Sequence, residues 1–233
     1  MNKPSLSYGY SRGCDYRVRG AQLTAECTMR VHGERRLSTG ASATFEFETP
    51  FLGKPGVLAT LAALLVCEQA TGHPLDLSWF QAALRSPKAR QPGRLEAKPL
   101  ADGSLVVDDT YNANPASVRA AIEVAGELAR LRDAKLHLVL GEMRELGPWS
   151  VAEHEALRAA IADCQPSSVV AIAGEAKRLL AGAPNEHFFE TAAEAADRVV
   201  QNLDPGGVVL VKASRGVRAE LVVEALERAR GRR

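Results

Sequence analysis

From Ser104 to the C-terminus, short aliphatic runs alternate with stretches of helical spacing, and no other feature restricts the fold as tightly. The runs are "SLVVDD" (104–109), "KLHLVLGEM" (135–143), "SSVVAIAG" (167–174), "HFFE" (187–190) and "GVVLVKAS" (207–214). Between and after them come "PASVRAAIEVAGELARL" (115–131), "SVAEHEALRAAIADC" (150–164), a short helix from Glu175, "TAAEAADRVVQNL" (191–203) and "VRAELVVEALERARG" (217–231). Strands that are aliphatic throughout, with no polar alternation, must be buried on both faces. The pattern therefore predicts an α/β fold whose mostly parallel sheet is covered by helices on both sides, with right-handed crossovers. Ser150 with Glu153, and Thr191 with Glu194, fit capping boxes at two helix starts.

The first 90 residues differ. Residues 1–52 read as β-rich, with "VHGERR" (31–36) as a hairpin turn and "ATFEFETPFLG" (43–53) placing Phe45 and Phe47 on one face. "GVLATLAALLVCEQAT" (56–71) reads as a helix ended by Gly72, apolar around most of its circumference and so expected to be largely buried. "DLSWFQAALRS" (76–86) reads as a second helix. "PKARQPGR" (87–94) then breaks the pattern and marks a domain boundary near Gln91.

Several function classes are disfavoured. The chain carries 29 basic and 28 acidic residues, a balance that argues against a general polyanion-binding surface. The longest apolar run, Val57–Val66, falls short of the roughly 18 residues that span a bilayer. The start "MNKPSLSYGYSRG" has no signal-peptide core, which points to the cytoplasm. Cys14, Cys27, Cys67 and Cys164 are dispersed, as are His32, His73, His137, His154 and His187, so neither zinc nor a disulfide framework is indicated. His137 reads as structural and His154 as a partly exposed helix residue. Neither GxxxxGK[ST], GxGxxG nor GxSxG occurs.

In open α/β sheets ligands bind beyond the carboxyl ends of the strands. Three polar clusters fall at such ends: Asp108–Asn114, "GEMRELG" (141–147) and "KASRG" (212–216). Each has a bland alternative. Asp108 or Asp109 could cap the next helix, Glu142 and Glu145 could form a solvated turn, and Lys212 could be an exposed lysine. Capping explains one polar residue, however, and not the five that crowd the turn after Val107.

The motifs "QPGRLE", "DDTYNANPAS", "LGEMRELG" and "KASR", in that order and spacing over residues 91–215, resemble the Mur ligase family, most closely its MurF branch. The family pattern reads roughly PGR, DDxYNANPxS, GDMxELG and KGSR. The resemblance implies that residues 1–90 are the C-terminal remnant of the family's central ATP-binding domain and residues 91–233 its Rossmann-like C-terminal domain. It further implies an ATP- and Mg2+-dependent amide ligase of peptidoglycan precursor synthesis, which adds D-alanyl-D-alanine to a UDP-muramoyl-tripeptide. Arg94 would face the nucleotide phosphates and Asp109 the ribose. Tyr111, Asn112 and Asn114 would line the reacting centre, and Lys212, Ser214 and Arg215 would face the amine substrate. No catalytic residue and no metal ligand is assigned in this chain, because the family's phosphate loop, magnesium ligands and modified lysine are expected before residue 1, on this chain's gene or on a separate N-terminal half. Departures stand out where the family's HNxxN amides are replaced by Pro55, Gly56 and Ala59. They keep two alternatives open: a non-catalytic ligase-like binding module, and a ligase of the superfamily with another amine acceptor.

Overall fold

The computed structural model describes residues 5–37, 40–89 and 91–231. The chain divides into two compact units, Met1–Arg90 and Gln91–Arg233.

In the first unit, strands β1 (Tyr8–Gly9), β2 (Tyr16–Leu23), β3 (Met29–Arg36) and β4 (Ser42–Thr49) form a sheet in that order, parallel between β1 and β2 and antiparallel thereafter. Alternate residues of β3 and β4 face inward, so Met29, Val31, Phe45 and Phe47 are buried on one side. The rings of Phe45 and Phe47 stack at 5.6 Å, and Phe80 of helix α2 (Leu77–Leu84) meets Phe47 edge-on at 5.9 Å. Helix α1 (Gly53–Thr71) ends at Gly72 in the left-handed conformation, as expected of a C-terminal glycine. It is not buried all round. Val57, Leu61, Leu64 and Glu68 line its buried face, whereas Val66 is 62% exposed, because the sheet offers the helix only one side.

The expected turn at "VHGERR" is instead the middle of β3. Gly33 serves packing there: a Cβ would meet the Arg17 carbonyl at 2.2 Å and the Phe45 ring at 2.4 Å. The chain reverses earlier, where Thr24 donates its N–H to the Thr28 carbonyl at 2.9 Å.

Second-unit strands β5 (Glu96–Pro99), β6 (Leu105–Asp109), β7 (Leu136–Gly141), β8 (Ser168–Ile172), β9 (Glu186–Phe189) and β10 (Val208–Lys212) lie in the order β5-β6-β10-β7-β8-β9. All are parallel except β5, an edge strand not expected from the sequence, where Pro99 is tolerated. The last strand, β10, thus sits between the first two parallel ones. Helices α6 (Ala192–Asn202) and α7 (Glu220–Arg230) pack over Val106, Val139, Val209 and Val211. Helix α3 (Pro115–Leu131) packs on β10 and β7.

The helix expected over 150–164 is two pieces, α4 (Ser150–Glu155) and α5 (Arg158–Asp163). Ser150 caps nothing. The chain enters α4 from a 3-10 turn (Gly147–Trp149) with Trp149 already in a right-handed helical conformation, which leaves no extended residue to act as a cap. Thr191 is extended, and its capping box with Glu194 forms, with bonds of 3.3 and 3.2 Å.

Two predictions follow from buried polar groups. In the first unit Glu68 accepts from Tyr16 Oη at 2.6 Å and from Leu75 N–H at 2.9 Å, and it pairs with Arg35. Burial and the Glu68 bond push the Tyr16 phenol up to about 12. Glu68→Ala strands the guanidinium and the phenol and should destabilise this unit by about 3–5 kcal/mol in urea titrations. In the second unit His137 on β7 bonds Ser168 Oγ through Nδ1 at 2.9 Å. Burial lowers its pKa despite Asp204 at 3.2 Å. The unfolded chain therefore binds the proton more readily, and stability present above about pH 6.5 is lost as pH falls below it. Thermal melts between pH 7.5 and 5.5 should show this decline, and His137→Gln should flatten it.

Candidate functional site

The parallel register brings three strand ends level, with Lys212 of β10 beside Asp109 of β6 on one side and Leu140 of β7 on the other. Side chains alternate across a strand, so the adjacent Asp108 and Asp109 point to opposite faces of the sheet. Asp108 belongs to the face covered by α7. It accepts Lys98 Nζ at 2.7 Å, with Glu227 of α7 3.7 Å from the same ammonium. Its other oxygen accepts the Thr110 hydroxyl at 2.8 Å and the Thr110 N–H at 3.2 Å. Asp109 lies on the α3 face. One oxygen accepts the Leu95 N–H at 3.1 Å and the other Lys212 Nζ at 2.5 Å.

Lys212 is far from an exposed lysine: its side chain is 1% accessible. It donates a second bond to the Asn112 carbonyl at 2.9 Å and so ties the end of β10 to the loop above β6. Burial pushes the Asp109 carboxyl up and the Lys212 ammonium down, while their mutual attraction opposes both shifts. Neither aspartate caps α3. Asn114 does, accepting the Ser117 N–H at 2.9 Å while the Ser117 hydroxyl accepts the Asn114 N–H at 3.0 Å, with Pro115 in the first turn. The Asn112 side chain accepts the neighbouring Ala113 N–H at 2.8 Å.

Above this platform Tyr111 stands exposed with two arginines against its ring. Arg94 Cζ lies 4.1 Å and Arg215 Cζ 5.5 Å from the ring centroid. Among the described residues neither guanidinium has a carboxylate partner within 4 Å. Asp109, Asn112 and Lys212 thus form one group and Arg94, Tyr111 and Arg215 another. Asn114 and Ser214 are engaged internally, the latter accepting the Arg144 N–H at 2.9 Å.

Two contributors escaped the sequence reading. Leu95, at φ +50°, turns its N–H onto Asp109, and Lys98 braces Asp108 from behind. His154 is fully buried, not partly exposed; its Nδ1 donates to the Ser150 carbonyl at 2.7 Å and its Nε2 accepts the Met143 N–H at 3.0 Å, fixing the "GEMRELG" loop to α4. Glu142 and Arg144 approach each other at 3.5 Å beside the "KASRG" turn. Among the described residues no group of three or more His, Cys, Asp or Glu is placed to hold a metal ion. No helix of the described residues is long and apolar enough to cross a membrane.

Removing the buried cation should be costly. Lys212→Met leaves the Asp109 carboxylate enclosed and unpaired and frees the Asn112 carbonyl, and should lower the stability of the second unit by about 3–5 kcal/mol. Adding Asp109→Asn should restore part of that loss, as chemical denaturation of the single and double variants would show.

Comparison with known proteins gives the site its context. The family described as "Mur ligase, glutamate ligase domain" matches residues 93–215, just over half of the chain. A UDP-N-acetylmuramoyl-tripeptide–D-alanyl-D-alanine ligase of Escherichia coli is 31% identical over 84% of this chain and 42% of its own length. The Mycobacterium tuberculosis enzyme of the same name is 33% identical over 62% of this chain and 33% of its own length. A MurF ligase from Thermotoga maritima, solved in complex with ADP, superposes with a TM-score of 0.75 and 26% identity over 96% of this chain and 48% of its own. The chain thus spans a third to a half of the length of these three relatives. It belongs to the Mur ligase family.

Proposed function

We propose that the chain is the C-terminal part of a MurF-type ligase of peptidoglycan precursor synthesis, which joins D-alanyl-D-alanine to a UDP-N-acetylmuramoyl-tripeptide in the cytoplasm at the expense of ATP. The observation that carries this reading is the rigid Asp109–Lys212 platform topped by Arg94 and Arg215, two unpaired cations on one exposed aromatic ring. Relatives bearing that name, one of them solved with ADP, support it.

The residues suit a nucleotide. Arg94 offers a planar fork to phosphate oxygens. Each Asp109 oxygen accepts one internal bond and keeps further acceptor capacity, and its side chain is 15% accessible, which suits a ribose hydroxyl. Tyr111 and Arg215 stand beside it, toward the incoming amine compound. Lys212 holds the loop in place from below. When bound, ATP supplies the phosphoryl group that activates the substrate carboxylate for attack by the amine. Among the described residues no group of three or more His, Cys, Asp or Glu is placed to hold a magnesium ion.

Phosphoryl transfer depends on positioning and charge neutralisation of the phosphates. No GxxxxGK[ST] loop occurs in the 233 residues, so the chain alone should release no phosphate from ATP with tripeptide precursor and D-alanyl-D-alanine, while calorimetry should detect ADP and dipeptide binding. Phosphate release by the pure chain would refute the first expectation, and binding of neither ligand the functional reading itself. A second reading, a ligase-like module that binds without catalysing, draws on the start of α1. There Pro55, Gly56 and Ala59 stand in place of the family amides, and Gly56 packs so closely on the Phe51 carbonyl that a Cβ would lie 2.3 Å from it. Failure of the chain to support ligation when mixed with a separately expressed N-terminal half, despite intact ligand binding, would favour it.

A further inference from the structure

Three consecutive backbone N–H groups just past the end of β7 are each claimed by a different neighbour. Glu142 N–H donates to the Ile172 carbonyl of β8 at 2.9 Å, Met143 N–H to Nε2 of His154 at 3.0 Å, and Arg144 N–H to Ser214 Oγ at 2.9 Å. The Ser214 N–H returns a bond to the Glu142 carbonyl at 3.2 Å. Residues 142–144 therefore stitch the ends of β7, β8 and β10 together. The approach of β7 to the turn after β10 is close: a Cβ on Gly141 would lie 2.5 Å from Ala213 Cβ.

The middle stitch depends on an imidazole with both nitrogens committed. His154 is fully buried, and its Nδ1 lies 2.7 Å from the Ser150 carbonyl, one helical turn back. A carbonyl can only accept, so Nδ1 carries the proton and Nε2 is the bare nitrogen that takes the Met143 N–H. A residue that merely filled space would need neither bond. An apolar side chain of similar size would leave the N–H of buried Met143 without its acceptor. Helix α4 has six residues and no side-chain cap at its start, too short to hold its place by its own hydrogen bonds. The loop and the helix thus fix each other through one side chain. From there the path to the exposed cations is short. Arg144 follows Met143 and donates to Ser214, and Ser214 precedes Arg215, whose guanidinium stands 5.5 Å from the Tyr111 ring.

We propose that His154 is a positioning residue for the ligand site: through Met143, Arg144 and Ser214 it sets the turn that carries Arg215, without touching a ligand itself. The proposal rests on the MurF-type reading of the site and adds to it a buried residue on which the placement of Arg215 depends.

The test uses the 233-residue chain. Long-range proton–nitrogen correlation spectra of the wild type in alkaline buffer should show the His154 ring proton on Nδ1. His154→Gln keeps an acceptor for the Met143 N–H, whereas His154→Leu fills the space without one. In backbone amide spectra, His154→Leu should move the signals of Met143, Arg144, Ser214 and Arg215. It should leave those of His137 and Ser168, at the opposite ends of β7 and β8, in place, and His154→Gln should return the moved signals toward wild type. Calorimetric binding of D-alanyl-D-alanine should weaken about fivefold in His154→Leu, the worth of one buried hydrogen bond, and recover in His154→Gln. A ring proton on Nε2 would overturn the proposal, and because it is read on the wild type it decides even where His154→Leu fails to fold. Shifts confined to Met143 and α4 would also overturn it, as would equal dipeptide affinities in the two variants. A wild-type chain that binds neither ADP nor the dipeptide would overturn the functional reading, while the ring proton and the Ser214 and Arg215 signals would still decide whether His154 sets the turn.

Discussion

The second unit is organised around one buried ion pair. Lys212 and Asp109 end adjacent parallel strands, face the same side of the sheet, and are too enclosed for either to be left alone. Two such charges are tolerated only because each meets the other and a backbone group as well: Leu95 N–H for the carboxylate, the Asn112 carbonyl for the ammonium. That requirement fixes the loop after β6, and the loop in turn fixes Tyr111, the ring on which Arg94 and Arg215 converge. The exposed chemistry of the site is therefore held by a lattice of enclosed polar contacts beneath it.

The two faces of the sheet divide the labour. Asp108 and Asp109 are neighbours in sequence, yet one braces the loop against Lys98 and α7 and the other against Lys212. A turn held from both faces has little freedom to adjust to a ligand. Such preorganisation suits a site that must present donors to a developing charge without first rearranging.

Much of this was readable in the amino acids. The strands β6, β7, β8 and β10 announce themselves because strands buried on both faces must be aliphatic throughout, α3 by its helical spacing, and α6 because its capping box is short-range. The gathering of polar clusters at one sheet edge follows from the same alternation. What could not be read depends on distant partners. Lys212 looks like any lysine until Asp109, 103 residues away, is placed beside it. His154 is buried because Met143 and Ser150 enclose it, and Gly33 interrupts no strand because Phe45 lies over it. Edge strand β5 has no aliphatic run, and its residues are at most partly buried. Ser150 has the composition of a cap but the wrong backbone, a difference set by the 3-10 turn before it.

The central place of β10 also bears on how the unit comes to exist. Among the described residues of this unit, 208–212 are the last strand to be synthesised, yet they fill the gap between β6 and β7. Until they arrive, β6 and β7 have no partner between them, and their valines and leucines present open edges. Pairings across about a hundred residues are slow to close, and unpaired aliphatic edges invite association with other chains. The stretch that completes the Asp109–Lys212 pair is thus the one whose late insertion closes those edges.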